Sequence, residues 1–230
     1  MYPSNVSDPE IHTNDKSIDL SDAYAVTTPE DSRRLYAAWA ASYNETFIKA
    51  NSYVYPRTVA ELFAEYVPAS GYTDVIDIGC GTGAVGNFLA SLRPDLIIDG
   101  FDISPEMLAQ AARTRRIDDS HVYRNLQEVD LTSALPNRTY SAMMSAGTFT
   151  HGHLGPETFL RLISLIRIGG WFVIGINAEH FKVQGFAKTI QSAVHSGIIT
   201  QPVIRVIDVY EPGSPHYGDK ANTCIFQRKN

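Results

Sequence analysis

The chain has only two cysteines in 230 residues, Cys80 and Cys224. They lie far apart and form neither a Cys-x-x-Cys pair nor a metal-ligand spacing, so the sequence predicts no disulfide framework and no metal site. No apolar run reaches the length of a membrane span, and the first residues lack the pattern of a signal peptide. We therefore expect a soluble, cytoplasmic protein with no membrane partner.

Positive charge is also scarce. Lysine and arginine total 19 against 25 acidic residues, which gives a formal net charge of −6. The one dense basic cluster, residues 113–116, follows a helical pattern, where basic side chains commonly complement the helix dipole. Nucleic acid is therefore not a predicted partner.

The length and the apolar content of 44% are sufficient for one substantial core. Residues 1–28 show no sustained periodicity and are predicted to be a flexible arm. The rest is interpreted as a single domain with three parts: a helical lid at 29–70, a cofactor-binding core at 71–177, and an acceptor-side helix with the last two strands at 178–230. The lid contains two predicted helices, 29–50 and 54–67.

Apolar strands alternate with helices through the body of the chain. The strands are predicted at 74–78, 96–102, 126–131, 140–145, 171–177, 202–210 and 222–227. Alternation of this kind indicates a doubly wound α/β fold, with a mostly parallel seven-stranded sheet and helices on both faces. The final connection is too short for a crossover helix, so the last strand is predicted to be antiparallel.

The stretch VIDIGCGTG, residues 75–83, places a glycine-rich turn directly after the first strand. Glycines at such a turn let the backbone approach a cofactor, and Gly79, Gly81 and Ala84 also fit the dinucleotide fingerprint. Asp77 favours a different ligand, because its charge would repel a diphosphate. S-adenosylmethionine has no phosphate and carries an ammonium and a sulfonium, so an acid at this position is compatible with it.

Two further acidic positions support nucleoside binding. Asp102 ends the second strand about twenty residues after the glycines, where a carboxylate can accept hydrogen bonds from both ribose hydroxyls. Asp130 and Leu131 end the predicted third strand. A carboxylate there can accept from an adenine amino group, and the following backbone N–H can donate to a ring nitrogen.

These stretches together resemble class I S-adenosylmethionine-dependent methyltransferases. The resemblance is carried by VIDIGCGTG, by GFDISPEMLAQA, by the spacing from Tyr123 through Leu126 to Asp130-Leu131, and by IRIGGWFVI. The stretch from Tyr36 to Asn44 also resembles the YxxWAxxYD segment of many small-molecule members, including the Williams–Beuren-region methyltransferase-like group, although Asn44 replaces the usual aspartate. The similarity covers about residues 33–177.

The resemblance implies a set of cofactor contacts. Gly79, Gly81 and Gly83 would contact the methionyl part of S-adenosyl-L-methionine, and Asp77 its amino group. Ile103 and Met107 would flank the adenine, and Ser145 would lie beneath the methyl donor. Tyr36 and Tyr43 are candidates for contact with the sulfonium or for closing the pocket. Trp39 lies on the same helical stripe, for which core packing is the competing interpretation.

A catalytic base is the remaining candidate. His151 and His153 follow the fourth strand, and an imidazole there can take a proton from a hydroxyl or thiol acceptor. The alternatives are ordinary loop residues or a partial metal site. The loop at 211–219 is expected at the same edge of the sheet, either beside the acceptor or as a solvated turn.

The predicted function is methyl transfer from S-adenosyl-L-methionine to an O, N or S atom of a small molecule, with S-adenosyl-L-homocysteine as product. Because the sulfonium methyl is already activated, the protein mainly aligns the nucleophile and excludes water. An NAD(P)-dependent oxidoreductase and a catalytically silent, S-adenosylmethionine-binding regulator are the alternatives. The sequence leaves the acceptor and the oligomeric state open.

Overall fold

The computed structural model describes residue 18, residues 20–133 and residues 135–230. A seven-stranded sheet has the spatial order β3-β2-β1-β4-β5-β7-β6. In chain order the strands are β1 Asp74–Ile78, β2 Ile97–Asp102, β3 Tyr123–Glu128, β4 Tyr140–Phe149, β5 Ile166–Asn177, β6 Val203–Asp208 and β7 Lys220–Gln227. Strand β7 is antiparallel to both β5 and β6, and the other neighbours are parallel. The predicted fold class is confirmed.

The helices connect these strands. They are α1 Leu20–Ala25, α2 Pro29–Trp39, a π-helix Asn44–Lys49, α3 Tyr55–Tyr66, α4 Ala84–Leu92, α5 Pro105–Ala111, α6 Pro156–Leu162, a 3₁₀ turn Ile163–Leu165, α7 Ala178–Val183 and α8 Phe186–His195. None of the helices in the described ranges is long and apolar enough to cross a membrane.

Both faces of the sheet are covered. On β1, Val75 packs into the cluster that includes α3 and α4, whereas Ile76 and Ile78 pack into the cluster that includes α6 and α8. Successive side chains of a strand point to opposite faces, so a strand buried on both sides has to be apolar along its length. Burial on both faces explains why the strands are apolar along their length. Because α3 packs on one of these faces, it is part of the hydrophobic core.

The N-terminal helices differ from the prediction in two ways. Residues 20–25 of the predicted flexible arm form α1, in which Ala23 is buried; the arm's residues 1–17 and 19 lie outside the described ones. The predicted helix 29–50 is divided into α2 and the π-helix. Trp39 causes this division, because its indole N–H donates to Thr46 Oγ1 at 3.0 Å and its ring packs on Phe47.

Several strand boundaries also differ from the predictions. β3 begins and ends three residues earlier than expected. It begins at Tyr123, which is buried beneath the glycine turn. It ends before Asp130, because Asp130 starts a loop in which its side chain accepts from the Thr132 N–H at 2.8 Å. β4 continues to Phe149. β5 begins at Ile166, and Gly170 lies inside it, where an added Cβ would lie 2.4 Å from Ile166 Cγ2.

Candidate active site

A cavity of about 320 Å³ lies at the carboxyl ends of β1, β2 and β4, beneath the N-terminal helices. The strand order reverses between β1 and β4, which is where open α/β sheets bind their ligands. The size is at the lower end of the roughly 300–1,000 Å³ of small-molecule sites. The predicted residues that line it are Tyr36, Tyr43, Gly79, Gly81, Asp102, Ile103, Met107, Asp130, Leu131 and His153.

The three glycines of the turn are required for different reasons. All three have positive φ, at 64° for Gly79, 53° for Gly81 and 89° for Gly83. A Cβ on Gly79 would lie 2.0 Å from Thr148 Oγ1, and one on Gly83 would lie 3.0 Å from the Tyr123 ring. A Cβ on Gly81 would meet nothing within 4 Å. Gly81 therefore presents open backbone to the cavity, whereas Gly83 is not among the lining residues.

Asp102 connects the glycine turn to the start of α5. Its carboxylate accepts from the Gly81 N–H at 2.8 Å and from the Ser104 N–H at 2.9 Å, one bond on each oxygen. Burial raises the pKa of Asp102, and the backbone bonds oppose that shift. Each carboxylate oxygen has a second lone pair, so both remain able to accept a bond from a ligand hydroxyl.

The region around Asp102 continues as a mixed wall. Ile103 and the buried Met107 follow it along the chain, and Asp130 and Leu131 face the cavity from the loop after β3. Asp130 Oδ1 is held by the Thr132 N–H and hydroxyl, at 2.8 and 2.6 Å. The wall therefore offers apolar surface beside oriented carboxylates.

Asp77 does not line the cavity. Its side chain is fully buried beneath the glycine turn, and the Tyr123 hydroxyl donates to its Oδ2 at 2.7 Å. Burial raises the pKa of Asp77 to about 7, which the bond from Tyr123 partly opposes. Near neutral pH this carboxyl is therefore close to its titration midpoint, and a contact with the cofactor amino group stays a prediction.

Ser145 is also placed away from the cavity. It is fully buried, and its hydroxyl donates to the Ile78 carbonyl at 2.8 Å. Thr148, three residues further along β4, donates to the same carbonyl at 3.0 Å and does line the cavity. From the sequence, residues 147–156 were expected to line the pocket, but Thr148 was not named as a site residue because β4 was predicted to end at Ser145.

Aromatic side chains form the opposite wall. Tyr43 packs against Trp39 and Phe47 with 5.0 Å between ring centroids in both pairs, and Phe47 packs against Tyr53 at 4.9 Å. Trp39 is only 2% exposed yet lines the cavity. The stripe is therefore both core packing and cavity wall.

The two candidate histidines are separated by the structure. The His153 Nδ1 lies 2.7 Å from the His151 carbonyl oxygen, and its Nε2 lies 3.1 Å from the Tyr36 hydroxyl. A carbonyl only accepts, so Nδ1 carries the proton and Nε2 accepts from Tyr36. Burial lowers the pKa of His153 and favours this neutral form. The His151 ring lies outside the cavity, 5.7 Å from the ring of His180.

Several contacts of the site depend on tertiary structure and have no signal in the local sequence. The Thr82 hydroxyl of the glycine turn donates to Asn44 Oδ1 at 2.7 Å, which joins the turn to the π-helix. Tyr210, after β6, lines the cavity beside Tyr53, with 5.5 Å between the two ring centroids. From residues 178–230 only Val209 and Tyr210 line it, whereas α8 packs on the other face of the sheet.

A sheet of this strand order, with a glycine turn after β1 and acidic residues after β2 and β3, is the Rossmann-like fold of class I S-adenosylmethionine-dependent methyltransferases. Residues 76–172 match the family model described as a methyltransferase domain. Residues 76–172 thus resemble a methyltransferase domain, and the predicted resemblance is confirmed at that level. The narrower similarity to the Williams–Beuren-region group stays a prediction.

Curated relatives match over short stretches. The chain is 50% identical over 44 residues to trans-aconitate 2-methyltransferase of Mycobacterium ulcerans, covering 19% of this chain and 16% of the relative. It is 34% identical over 76 residues to malonyl-[acyl-carrier protein] O-methyltransferase of Acetivibrio thermocellus, covering 33% and 25%. The matched stretches thus span at most about a quarter of these two relatives.

Solved structures match over most of the chain. An S-adenosylmethionine-dependent methyltransferase from Clostridium acetobutylicum has a TM-score of 0.59 at 15% identity, covering 85% of this chain and 99% of that one. The plantazolicin methyltransferase in complex with SAH has a TM-score of 0.53 at 10% identity, covering 87% and 99%. At such identities the likeness establishes the fold alone.

Proposed function

We propose that this protein transfers a methyl group from S-adenosyl-L-methionine to a nucleophilic atom of a small molecule. The observation that carries the proposal is the composition of the cavity lining, where the open backbone of Gly81 donates to the carboxylate of Asp102 and where Asp130 supplies a second carboxylate. The methyltransferase-domain match and the names of the curated relatives support the same reaction class.

The charges in the wall distinguish between cofactors. Among the described lining residues, the acidic side chains are Asp102 and Asp130, and none is a lysine or arginine. This wall favours a cofactor that carries an ammonium and a sulfonium and disfavours one that carries a diphosphate. The wall therefore argues against the oxidoreductase alternative.

Each part of S-adenosyl-L-methionine can be assigned to a group of the cavity-lining residues. Gly79 and Gly81 would lie along the methionyl part, Asp102 would accept from the ribose hydroxyls, and Asp130 with Leu131 would bind the adenine edge beside Ile103 and Met107. When bound, the cofactor supplies a methyl group already activated by the sulfonium. The remaining work of the protein is to orient the acceptor and to exclude water.

His153 is proposed as the general base for a hydroxyl or thiol acceptor. Its Nδ1–H donates to the His151 carbonyl, so Nε2 is the nitrogen that would receive the proton of the acceptor. The neutral imidazole, which burial favours, is the form a base requires. Tyr36, which donates to Nε2, orients the ring until an acceptor hydroxyl takes its place.

Ligand-dependent thermal unfolding tests the proposal. S-adenosylmethionine and S-adenosylhomocysteine should raise the melting temperature, whereas NAD and NADP should not, because a ligand that binds only the folded state stabilises it by mass action. Asp102→Ala should abolish the shift. His151→Ala, which alters a residue outside the cavity, is the matched control and should keep it.

Two results would overturn the assignment. Stabilisation by NAD or NADP alone would favour the oxidoreductase. A normal shift in Asp102→Ala would show that this carboxylate does not bind the ribose.

A further inference from the structure

At the end of the cavity where Tyr36 and His153 lie, the lining includes a group of aromatic rings. They form one continuous row of contacts, with centroid distances of 5.0 Å for Trp39–Tyr43, 5.0 Å for Tyr43–Phe47, 4.9 Å for Phe47–Tyr53 and 5.5 Å for Tyr53–Tyr210. All these rings line the cavity. Such a surface accommodates a flat apolar ligand by offset or edge-on contacts.

The described part of the cavity lining offers no lysine or arginine to a charged acceptor. The two carboxylates of this lining, Asp102 and Asp130, would repel an anion. A carboxylate moved from water into this site would lose its hydration without gaining an ion pair. Acceptors that carry carboxylates are therefore disfavoured.

The polar groups at this end suit a weakly acidic hydroxyl. His153 Nε2 accepts from a phenol already, since the Tyr36 hydroxyl lies 3.1 Å away. A phenol has a pKa of about 10, close enough to an imidazole for proton transfer during reaction, whereas an aliphatic hydroxyl is far less acidic. The contact between Tyr36 and His153 therefore mimics the bond that a phenolic acceptor would make.

We propose that the acceptor is an uncharged aromatic hydroxyl compound, bound between the aromatic row and His153; this rests on the methyl-transfer function proposed above. The phenolic O–H bond breaks and its proton goes to His153 Nε2. The oxygen forms a bond to the methyl carbon, while the bond from that carbon to sulfur breaks and sulfur keeps the electron pair. The products are an aryl methyl ether, S-adenosylhomocysteine and a protonated imidazole that returns its proton to solvent.

Matched ligand pairs test the acceptor class. Binding of 2-naphthol, 6-hydroxy-2-naphthoate and trans-aconitate is measured by calorimetry with S-adenosylhomocysteine present, and transfer is measured with a labelled methyl group. We expect 2-naphthol to bind at least about tenfold more tightly than its carboxylate, trans-aconitate not to bind, and the label to appear on the naphthol oxygen. Equal or tighter binding of either carboxylate would overturn the proposal.

A designed cation gives a second test. Ile48 is half-buried and lines the cavity, so Ile48→Lys should reduce the preference for 2-naphthol over its carboxylate by about tenfold. Ile168→Lys, on a surface strand end where Ile168 is 70% exposed, is the matched control and should leave the ratio unchanged. An unchanged ratio in a folded Ile48→Lys protein would contradict the proposal. If that variant does not fold, the ratio in the unaltered protein decides.

The experiment separates the two proposals. If S-adenosylhomocysteine neither binds nor stabilises the protein, the methyl-transfer function itself is wrong. If it binds and the naphthol pair binds equally, only the acceptor class is wrong.

Discussion

The buried carboxyl of Asp77 makes the stability of this protein depend on pH. Asp77 has a pKa raised from 3.8 to about 7 in the folded state, chiefly by burial. Between these values the folded chain binds more protons than the unfolded chain, so the free energy of unfolding falls as pH rises from about 4 to 7. Deprotonation at neutral pH thus opposes folding.

We expect Asp77→Asn to remove this loss. Relative to the variant, the unaltered protein should lose about 1 kcal/mol or more of unfolding free energy between pH 5 and pH 8, measured by urea denaturation. Asp118→Asn is the control, because the pKa of Asp118 is lowered by bonds from Ser120 and its titration lies below this range. Parallel pH curves for the unaltered protein and Asp77→Asn would contradict the assigned shift.

Individual site residues differ in how far the sequence could predict them. Asp102 was predicted because it ends β2, about twenty residues after the glycines. Asp130 was predicted from a strand end that the structure places earlier, at Glu128, yet it still lines the cavity. Asp77 was found by the same reasoning, but its partner Tyr123 lies 46 residues away on β3 and carries no local signal. His151 and His153 lie two residues apart in one loop, so the sequence does not distinguish them. The conformation of the turn after β4 places only His153 in the cavity lining.

At the scale of the helices, α2 owes its start to a capping box. The Thr28 hydroxyl accepts from the Asp31 N–H at 3.1 Å, and the Asp31 carboxylate accepts from the Thr28 N–H at 3.1 Å. These bonds satisfy backbone donors that the first turn leaves without partners. Since α2 carries Tyr36 and Trp39, the cap also fixes part of the cavity wall.

Thr28→Ala should therefore lower the free energy of unfolding by about 1 kcal/mol, measured by denaturant titration. Thr28→Ser keeps the accepting oxygen and should lose much less. A loss of equal size in the two variants would show that the threonine methyl group, rather than the cap, stabilises the helix.

Element boundaries show the same limit of sequence reasoning. β1 was predicted to the residue because its apolar run and glycine turn are both local features. The division of the predicted 29–50 helix was not predictable from the sequence. It depends on the hydrogen bond from the Trp39 indole N–H to Thr46 and on the packing of the Trp39 ring against Phe47. Likewise, α7 and α8 are two helices where the sequence predicted one acceptor-side helix, and they are separated at Gly185, which has a φ of 72°.

For the whole molecule, the order of the sheet leaves one strand at an exposed edge. β6 pairs only with β7 among the described strands, and its Val203, Ile204 and Val206 are 44%, 46% and 67% exposed. The sequence predicted both last strands but not which of them lies at the edge, because the short hairpin connection allows either order. Only the pairing of β7 with β5 decides it.

An exposed apolar edge strand is a site for association between chains, because its outer backbone groups have no strand partner. Val206→Lys should therefore reduce the aggregation that follows mild heating, measured by light scattering. It should change the free energy of unfolding by no more than about 0.5 kcal/mol, as for other surface substitutions. Ile117→Lys, at a residue that is 97% exposed and outside any strand, adds the same charge and should protect much less. If both variants protect equally, net charge rather than the edge of β6 limits aggregation, since a charge at Ile117 cannot interrupt strand pairing.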